Sequence, residues 1–318
     1  MTLAPFVRIL GRGPGRSRSL TQHEASDAMT VMLQEDAEPE AIGALLMLLR
    51  MKGETADEIA GFAQSATRNL PDIPHADLNW PSYAAGRTRG MPWFLLSARL
   101  IADAGHRVMI HGWNGPDRTV RTALSTVGIP LRTRPQDIAD ALDQKRIVYV
   151  PLEDLSPQLW HLLRLRETLG LRSCINTVCR MLNPGLASAT VQGVFHPSYR
   201  SLQTLAATLL GWDALSVIKG GGGEFERNPT KDIRVGGLRG GVPFDLTVTA
   251  LQGQAQRLDR IGDAADDFVA VAKGSPASAL SRDIVVGTTA LALDTLGYRD
   301  PMAEARALWR NRSGRIAA

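Results

Sequence analysis

LTQHEASDAMTVMLQEDAEPEAIGALLMLLRMKGETADEIAGFAQS, residues 20–65, reads as three short amphipathic helices in succession. Thr21 and Glu24 have the spacing of a capping box, and Ala25, Ala28, Met29, Met32 and Leu33 recur behind them at helical intervals. Pro39 suits the first turn of a second helix, with Ile42, Leu45, Leu46 and Leu49 on one face and Gly53 placed to end it. Thr55 and Glu58 repeat the capping-box spacing ahead of Ile59, Ala60, Phe62 and Ala63. Residues 20–68 are thus expected to form an all-helical unit, and the proline-bearing run Pro71 to Pro81 reads as a linker out of it.

Beyond the linker the pattern changes. Val108 to His111, Ile147 to Val150 and Leu215 to Lys219 are short β-rich runs, separated by helical patterns at 94–104, 157–169, 198–210 and 283–296. Such alternation predicts a mostly parallel sheet covered by helices. The glycine-rich stretch 220–245 reads as loop or irregular strand near a site. The expected fold class is α/β: a small all-helical N-terminal domain plus a larger α/β domain with a mostly parallel central sheet covered by helices. The division falls at 1–75, with a basic arm at 8–19, and 76–318, with helices around 160–200 expected to pack on the helical domain.

Composition agrees with this. The chain has 318 residues, 44% hydrophobic and 21% charged, enough apolar material for a large core and unlike a disordered or fibrous protein. Lys and Arg exceed Asp and Glu by a net +4, compatible with an anionic partner. Two cysteines, Cys174 and Cys179, exclude a disulfide framework and read as buried thiols. The longest apolar stretch, Ala41 to Leu49, is far short of the roughly 20 residues that cross a bilayer. The apolar patch at the N-terminus precedes its arginines, the reverse of a secretory signal, so no membrane partner and a cytoplasmic location are expected.

Several phrases together resemble the anthranilate phosphoribosyltransferases of glycosyltransferase family 3. They are the helical opening with its closing Arg50 to Thr55 phrase, LGLRSCINTVCRMLNP (169–184), GVFHPSY (193–199), ALSVIKGGGG (214–223) and SRDIVVGTTALAL (281–293), in the family's order and spacing. The resemblance covers most of the chain. It implies a helical domain joined to an α/β domain of the nucleoside phosphorylase type, substrates in the cleft between them, and a homodimer formed through the helical domain.

The chain departs from the family where phosphoribosyl pyrophosphate would bind. The family's G-T-G-G-D loop is here Gly86, Arg87, Thr88, Arg89, Gly90, in which two arginines fill space that close backbone approach to a pyrophosphate requires. The N-x-S-T clamp falls on MPWFLLS (91–97), with Ser97 its only hydroxyl. The K-H-G-N segment is Ile110, His111, Gly112, Trp113, with Asn114 one position late, and the G-L-D-E turn is Gly223, Glu224, Phe225, Glu226. Arg166, Arg172 and Asn176 are retained, Arg166 aligning with the arginine that holds the aromatic acid's carboxylate. Divergent transferase chemistry on an unknown acceptor would therefore use Gly86, Thr88, Gly90, His111, Asn114, Arg166 and Asn176 for substrate and Glu224 and Glu226 for Mg²⁺. The same two carboxylates also read as loop charges paired with Arg227 or Lys231.

Loss of those motifs points first to another role, nucleic-acid binding without a cofactor. Arg8, Arg12, Arg16 and Arg18 are interleaved with glycines and Pro14 as a flexible basic arm, and residues 84–134 hold eight arginines against Asp103 and Asp117. A basic groove of this kind binds phosphates of DNA or RNA, single- or double-stranded, with low sequence specificity. Trp93, Trp113 and Phe225 are available either to stack on bases or to pack in the core. The Gly-Arg-Gly arm at 11–13, the altered loop and KGGGGEFERNP (219–229) are similar to a branch of the family that keeps the fold and binds nucleic acid. On that reading Arg12, Arg16, Arg18, Arg87, Arg89 and Lys219 carry the binding, and no catalytic residue is assigned. Gly220 to Gly223 lack the Lys-Ser/Thr of a Walker A loop, which argues against an ATPase.

Overall fold

A computed structural model describes residues 2–13, 15–83, 90–115, 119–253 and 265–312. The helical domain consists of α1 (Ala4–Gly11), α2 (Gln22–Met32), α3 (Pro39–Lys52) and α4 (Ala56–Arg68). Both expected capping boxes form: the Thr21 and Thr55 hydroxyls accept from the amides of Glu24 and Glu58, and each glutamate reaches back to its cap. Gly53 ends α3 at a φ of 85°, a conformation glycine adopts without a Cβ penalty.

The α/β domain follows as β1 (Leu78–Ser82), α5 (Phe94–Asp103), β2 (Val108–Gly112), α6 (Thr119–Thr126), α7 (Pro135–Lys145), β3 (Ile147–Pro151), α8 (Leu152–Leu155), α9 (Pro157–Leu169), α10 (Ile175–Arg180), β4 (Ala189–Val194), α11 (Ser198–Leu209) and β5 (Ala214–Lys219). A 3₁₀ turn at Gly221–Gly223 leads to the hairpin β6 (Ile233–Arg239) and β7 (Val242–Val248), then α12 (Ala265–Ala272), α13 (Ala279–Thr295) and α14 (Pro301–Arg310). The seven strands form one sheet in the order β3-β2-β1-β4-β5-β6-β7, parallel from β3 to β5 and antiparallel from β5 to β7.

Alternate strand residues serve opposite faces of the sheet. Leu78, Trp80, Ile110 and Tyr149 share a core with α5, α13 and α14, whereas Leu215 and Val217 join the helical domain together with α9, α10 and α11. Leu159, Leu163, Ile175 and Val178 thereby belong to the same core as Leu45, Leu49 and Phe62. Among the described residues no helix is long and apolar enough to cross a membrane.

Two expectations need correction. Arg8 does not lie in a flexible arm: it is on α1, which Leu3 and Leu10 bury against the domain and which ends with Gly11 close against Leu48. The linker is shorter than read, because Leu78 to Ser82 form β1 in the middle of the sheet despite Pro81.

Candidate functional site

In an open α/β sheet, ligands bind beyond the carboxyl ends of the strands where the strand order reverses. That point here is β1 and β4. β1 pairs with β2 over its full length, Leu78↔Val108 to Ser82↔Gly112, but with β4 only at Leu78↔Ala189 and Asn79↔Thr190. Pro81 contributes no amide hydrogen to the ladder, and the two strands part beyond Asn79.

Arg180, the last residue of α10, fills this opening. Its Nη2 donates to the Tyr83 carbonyl at 2.7 Å, its Nε to the Gly193 carbonyl at 3.1 Å and its Nη1 to the Asn176 carbonyl at 3.1 Å, with the Asn176 side-chain oxygen close by. Gln192 holds the Arg180 carbonyl from β4 at 2.8 Å. Only 7% of Arg180 is exposed, and no carboxylate of the described residues forms an ion pair with it. Burial pulls the guanidinium below the ordinary arginine range, and the field of Glu224 opposes that shift.

A buried polar network lies beside it. Glu224 Oε1 accepts from Ser82 Oγ at 3.1 Å and from Asn114 Nδ2 at 3.3 Å, and the Asn114 oxygen accepts from the Tyr149 hydroxyl at 3.4 Å. Glu226 turns away and accepts from the Phe94 amide at 3.1 Å, at the N-terminus of α5. His111 and Tyr83 are fully buried and share a 2.8 Å hydrogen bond at Nδ1. Burial lowers the His111 pKa to about 3, so the ring is neutral in ordinary buffers.

Above Arg180 opens a cleft of about 470 Å³ between the helical and α/β domains. Arg50 and Glu54 border it from the helical side; Arg172, Asn176 and Arg180 border it from the other, with the glycine turn represented by Gly222. Arg50 donates to the Arg172 carbonyl at 2.6 Å, tying the two domains together at the rim. Burial, reinforced by the fields of Arg166 and Arg50, lowers the pKa of Arg172, a sign of cations crowded together.

Of the residues the sequence singles out, Asn176 lines the cleft, whereas Asn114 and His111 lie in the buried network behind it. Arg166 stands beside the cleft with its guanidinium 5.0 Å from the Trp113 ring centre; Arg172 is the retained arginine that lines it. Gly90 follows the loop at a φ of 83°. Gly86, Arg87, Thr88 and Arg89 lie outside the described residues. Glu224 and Glu226 each have a carboxylate oxygen bonded to protein donors and are fully buried. As arranged they do not fit an Mg²⁺ ion, which keeps several waters, and no cluster of three metal-binding side chains occurs among the described residues.

Arg12, Arg16 and Lys219 are exposed, while Arg18 is clamped to Glu24 at 2.6 Å. In the arginine-rich stretch, Arg99 pairs with Asp103 within it, and Arg107, Arg121 and Arg134 pair with Asp143, Glu153 and Asp137, three acids outside the stretch that neutralise part of its charge. Trp93 and Phe225 are core residues and unavailable for stacking. Cys174 and Cys179 are buried free thiols. Arg180 was missed in the sequence because a lone arginine on a helix carries no signal; its meaning comes from the parting of β1 and β4.

Comparison with known proteins places this architecture. Residues 5–68 match the helical bundle domain of the glycosyl transferase family. The structure superposes on anthranilate phosphoribosyltransferase from Thermus thermophilus with a TM-score of 0.78, at 21% identity and covering 100% of both chains. The chain has the anthranilate phosphoribosyltransferase fold. The Saccharomyces cerevisiae enzyme in complex with PRPP and Mg shares the fold at a TM-score of 0.76, 14% identity and coverage of 97% and 92%. In sequence, the chain is 27% identical over 299 residues to anthranilate phosphoribosyltransferase of Symbiobacterium thermophilum, covering 90% of this chain and 87% of that protein. The Moorella thermoacetica enzyme is 28% identical over 301 residues, with coverage of 91% and 88%. These matches support glycosyl transferase family 3 as the family the chain resembles.

Proposed function

We propose that this chain is a divergent glycosyltransferase of the phosphoribosyltransferase kind. Its reaction takes place beyond the carboxyl ends of β1, β4 and β5, with the acceptor in the interdomain cleft. The supporting observation is the convergence of Arg172, Asn176, Arg180 and the 220–223 turn at the reversal point of a fold whose relatives bear phosphoribosyltransferase names. Guanidiniums and close backbone there suit a polyanionic pentosyl donor whose pyrophosphate leaves as an acceptor attacks the anomeric carbon. Arg180, fixed by three carbonyls, is preorganised and would need no rotamer change to meet an anion. No step is assigned to a metal, since Glu224 and Glu226 are bonded within the protein. Calorimetry with phosphoribosyl pyrophosphate, with and without Mg²⁺, tests the reading when combined with a pyrophosphate-release assay over a panel of aromatic amines. Binding with release supports it; absence of both removes it.

A second reading, nucleic-acid binding by a homodimer, is favoured by Arg12 and Arg16, which are exposed and make no side-chain hydrogen bond or ion pair among the described residues. Arg87, Arg89 and Lys219 are the other cations of that reading. Anisotropy of a labelled oligonucleotide across salt concentrations tests it, with a steep decline of affinity expected. No binding at low salt removes it.

A further inference from the structure

We propose that the wall which α11 gives the interdomain cleft recognises an uncharged ring bearing a cyclic amide, an N–H beside a carbonyl, rather than an aromatic carboxylate. The inference rests on the reading of the cleft as an acceptor site and names the class of acceptor it takes.

An unmet hydrogen-bonding atom is the first argument. Gln203 lines the cleft, yet the residue is only 1% exposed, and its Oε1 is buried with no hydrogen-bond donor among the described residues. Leaving a buried polar atom unpartnered is costly, and an N–H brought by a ligand in the cleft would remove that cost. The polar groups around it are already engaged. Arg180 donates to the Tyr83, Gly193 and Asn176 carbonyls, the Asn176 side-chain oxygen lies against the same guanidinium, and Arg50 donates to the Arg172 carbonyl.

The chemistry of the side chain is the second. A glutamine carries an acceptor and a donor side by side, and the group that meets both at once is another amide, its N–H on Oε1 and its carbonyl facing Nε2. The match survives a half-turn of the glutamine amide, because the ligand amide reverses with it.

The surroundings supply the third argument. Tyr199 lies one turn before Gln203 on the same face of α11, and Glu54 lines the cleft with them. Burial, reinforced by the charge of Glu54, raises the Tyr199 pKa, which places that carboxylate close to the α11 wall. A carboxylate ligand set against Gln203 would meet like charge there, and a neutral amide would not. Phe195, 55% exposed at the rim, offers ring surface to the body of a planar ligand.

α-Pyridone and its N-methyl derivative share the ring and the carbonyl and differ in the N–H, so titrating the full chain with each by calorimetry isolates the bond to Gln203. α-Pyridone is expected to bind about tenfold more tightly than the N-methyl compound, and more tightly than benzoate. Gln203→Leu keeps much of the shape and removes the unmet amide. It is expected to abolish the discrimination between the two pyridones while leaving the urea midpoint equal to that of the wild type or higher. A lower midpoint, or failure to fold, would mean that the amide is bonded within the protein, and overturns the proposal. Equal binding of the two pyridones by the wild type overturns it without recourse to any variant. So does tighter binding of benzoate, or no binding of α-pyridone at millimolar concentration. Gln203-dependent α-pyridone binding without any consumption of phosphoribosyl pyrophosphate keeps the amide site and removes the transferase reading. Consumption with benzoate as the preferred ligand does the reverse.

Discussion

The hydroxyl of Tyr83 lies 2.8 Å from Nδ1 of His111, and neither side chain meets solvent. The pair joins the residue that follows β1 to the end of β2. Burial holds His111 neutral, with its pKa lowered to about 3 from 6.5. In the unfolded chain the imidazole regains its ordinary value and binds a proton as pH falls below 6.5, while the folded form does not. Stability from this group is therefore complete above pH 6.5 and is lost progressively toward pH 3, at up to about 1.4 kcal/mol per pH unit. Urea unfolding between pH 6.5 and 5, above the ordinary carboxylate range, should show that slope. His111→Gln should flatten it, and an unchanged slope in the variant would refute the assignment.

Removing the partner instead of the imidazole gives a different signature. Tyr83→Phe keeps the ring packing and leaves Nδ1 of a buried imidazole without its hydrogen bond, at a cost of about 1–3 kcal/mol. The loss should appear as a lower urea midpoint at pH 8, where His111 protonation plays no part. A midpoint equal to that of the wild type would show that the bond adds nothing.

The helical domain was legible in the sequence because its signals are local. Thr21 with Glu24 and Thr55 with Glu58 fix two helix starts without reference to anything distant, and the structure forms both capping boxes. β2, β3 and β5 were legible as short branched-chain runs. β1 was not, since Pro81 is a residue that central strands normally exclude, tolerated here where the sheet opens between β1 and β4. The basic arm was misread in part because α1 has only eight residues and Gly and Pro follow it, so composition hid a helix that Leu3 and Leu10 anchor from outside the pattern. The candidate site was the least legible. Arg180, Tyr83 and Gly193 are brought together only by the sheet order, and charge counted along the chain took no account of Asp143 and Glu153, which answer Arg107 and Arg121 from elsewhere.

Glu226 offers a test between a metal ligand and a helix cap. Its carboxylate accepts from the Phe94 amide at the start of α5, where the helix dipole favours negative charge. Glu226→Ala should cost about 1–2 kcal/mol in thermal or urea unfolding, and Glu226→Gln less, since an amide oxygen still accepts. The cost should be the same with Mg²⁺ as with a chelator. A loss seen only in the presence of Mg²⁺ would return the residue to metal binding.

Gly193 sits where β4 passes the 224–226 turn. A Cβ placed there would meet the Glu224 carbonyl carbon at 2.1 Å, backbone that cannot move as a side-chain tip can. Gly193→Ala should therefore displace the turn and with it the Arg180 bond to the Gly193 carbonyl, costing at least about 1–3 kcal/mol. Phosphate affinity at the cleft should fall alongside stability. Retained affinity with lowered stability would separate the turn from the anion site.

Arg12, Arg16 and Arg18 look alike in sequence and differ in the structure. Arg18 is bonded to Glu24 through both Nη atoms, at 2.7 and 2.6 Å, and this bond is the chief cause that lowers the Glu24 pKa to about 2 from 4.5. Arg18→Ala should raise the Glu24 pKa toward its ordinary value in a carboxyl NMR titration. The depressed pKa contributes stability that is present above pH 4.5 and lost as pH falls toward 2, so the variant should differ from the wild type at neutral pH and converge with it in acid. Among the described residues Arg12 and Arg16 have no such partner to lose. If the arm contacts nucleic acid, Arg12→Ala and Arg16→Ala should each reduce the salt slope of oligonucleotide binding by about 1, with little change in thermal stability, because each removes one phosphate contact. Arg18→Ala should leave the slope nearly unaltered. Equal effects from all three substitutions would mean that the Arg18–Glu24 clamp opens on binding, and no effect from any of them would exclude the arm from the interface.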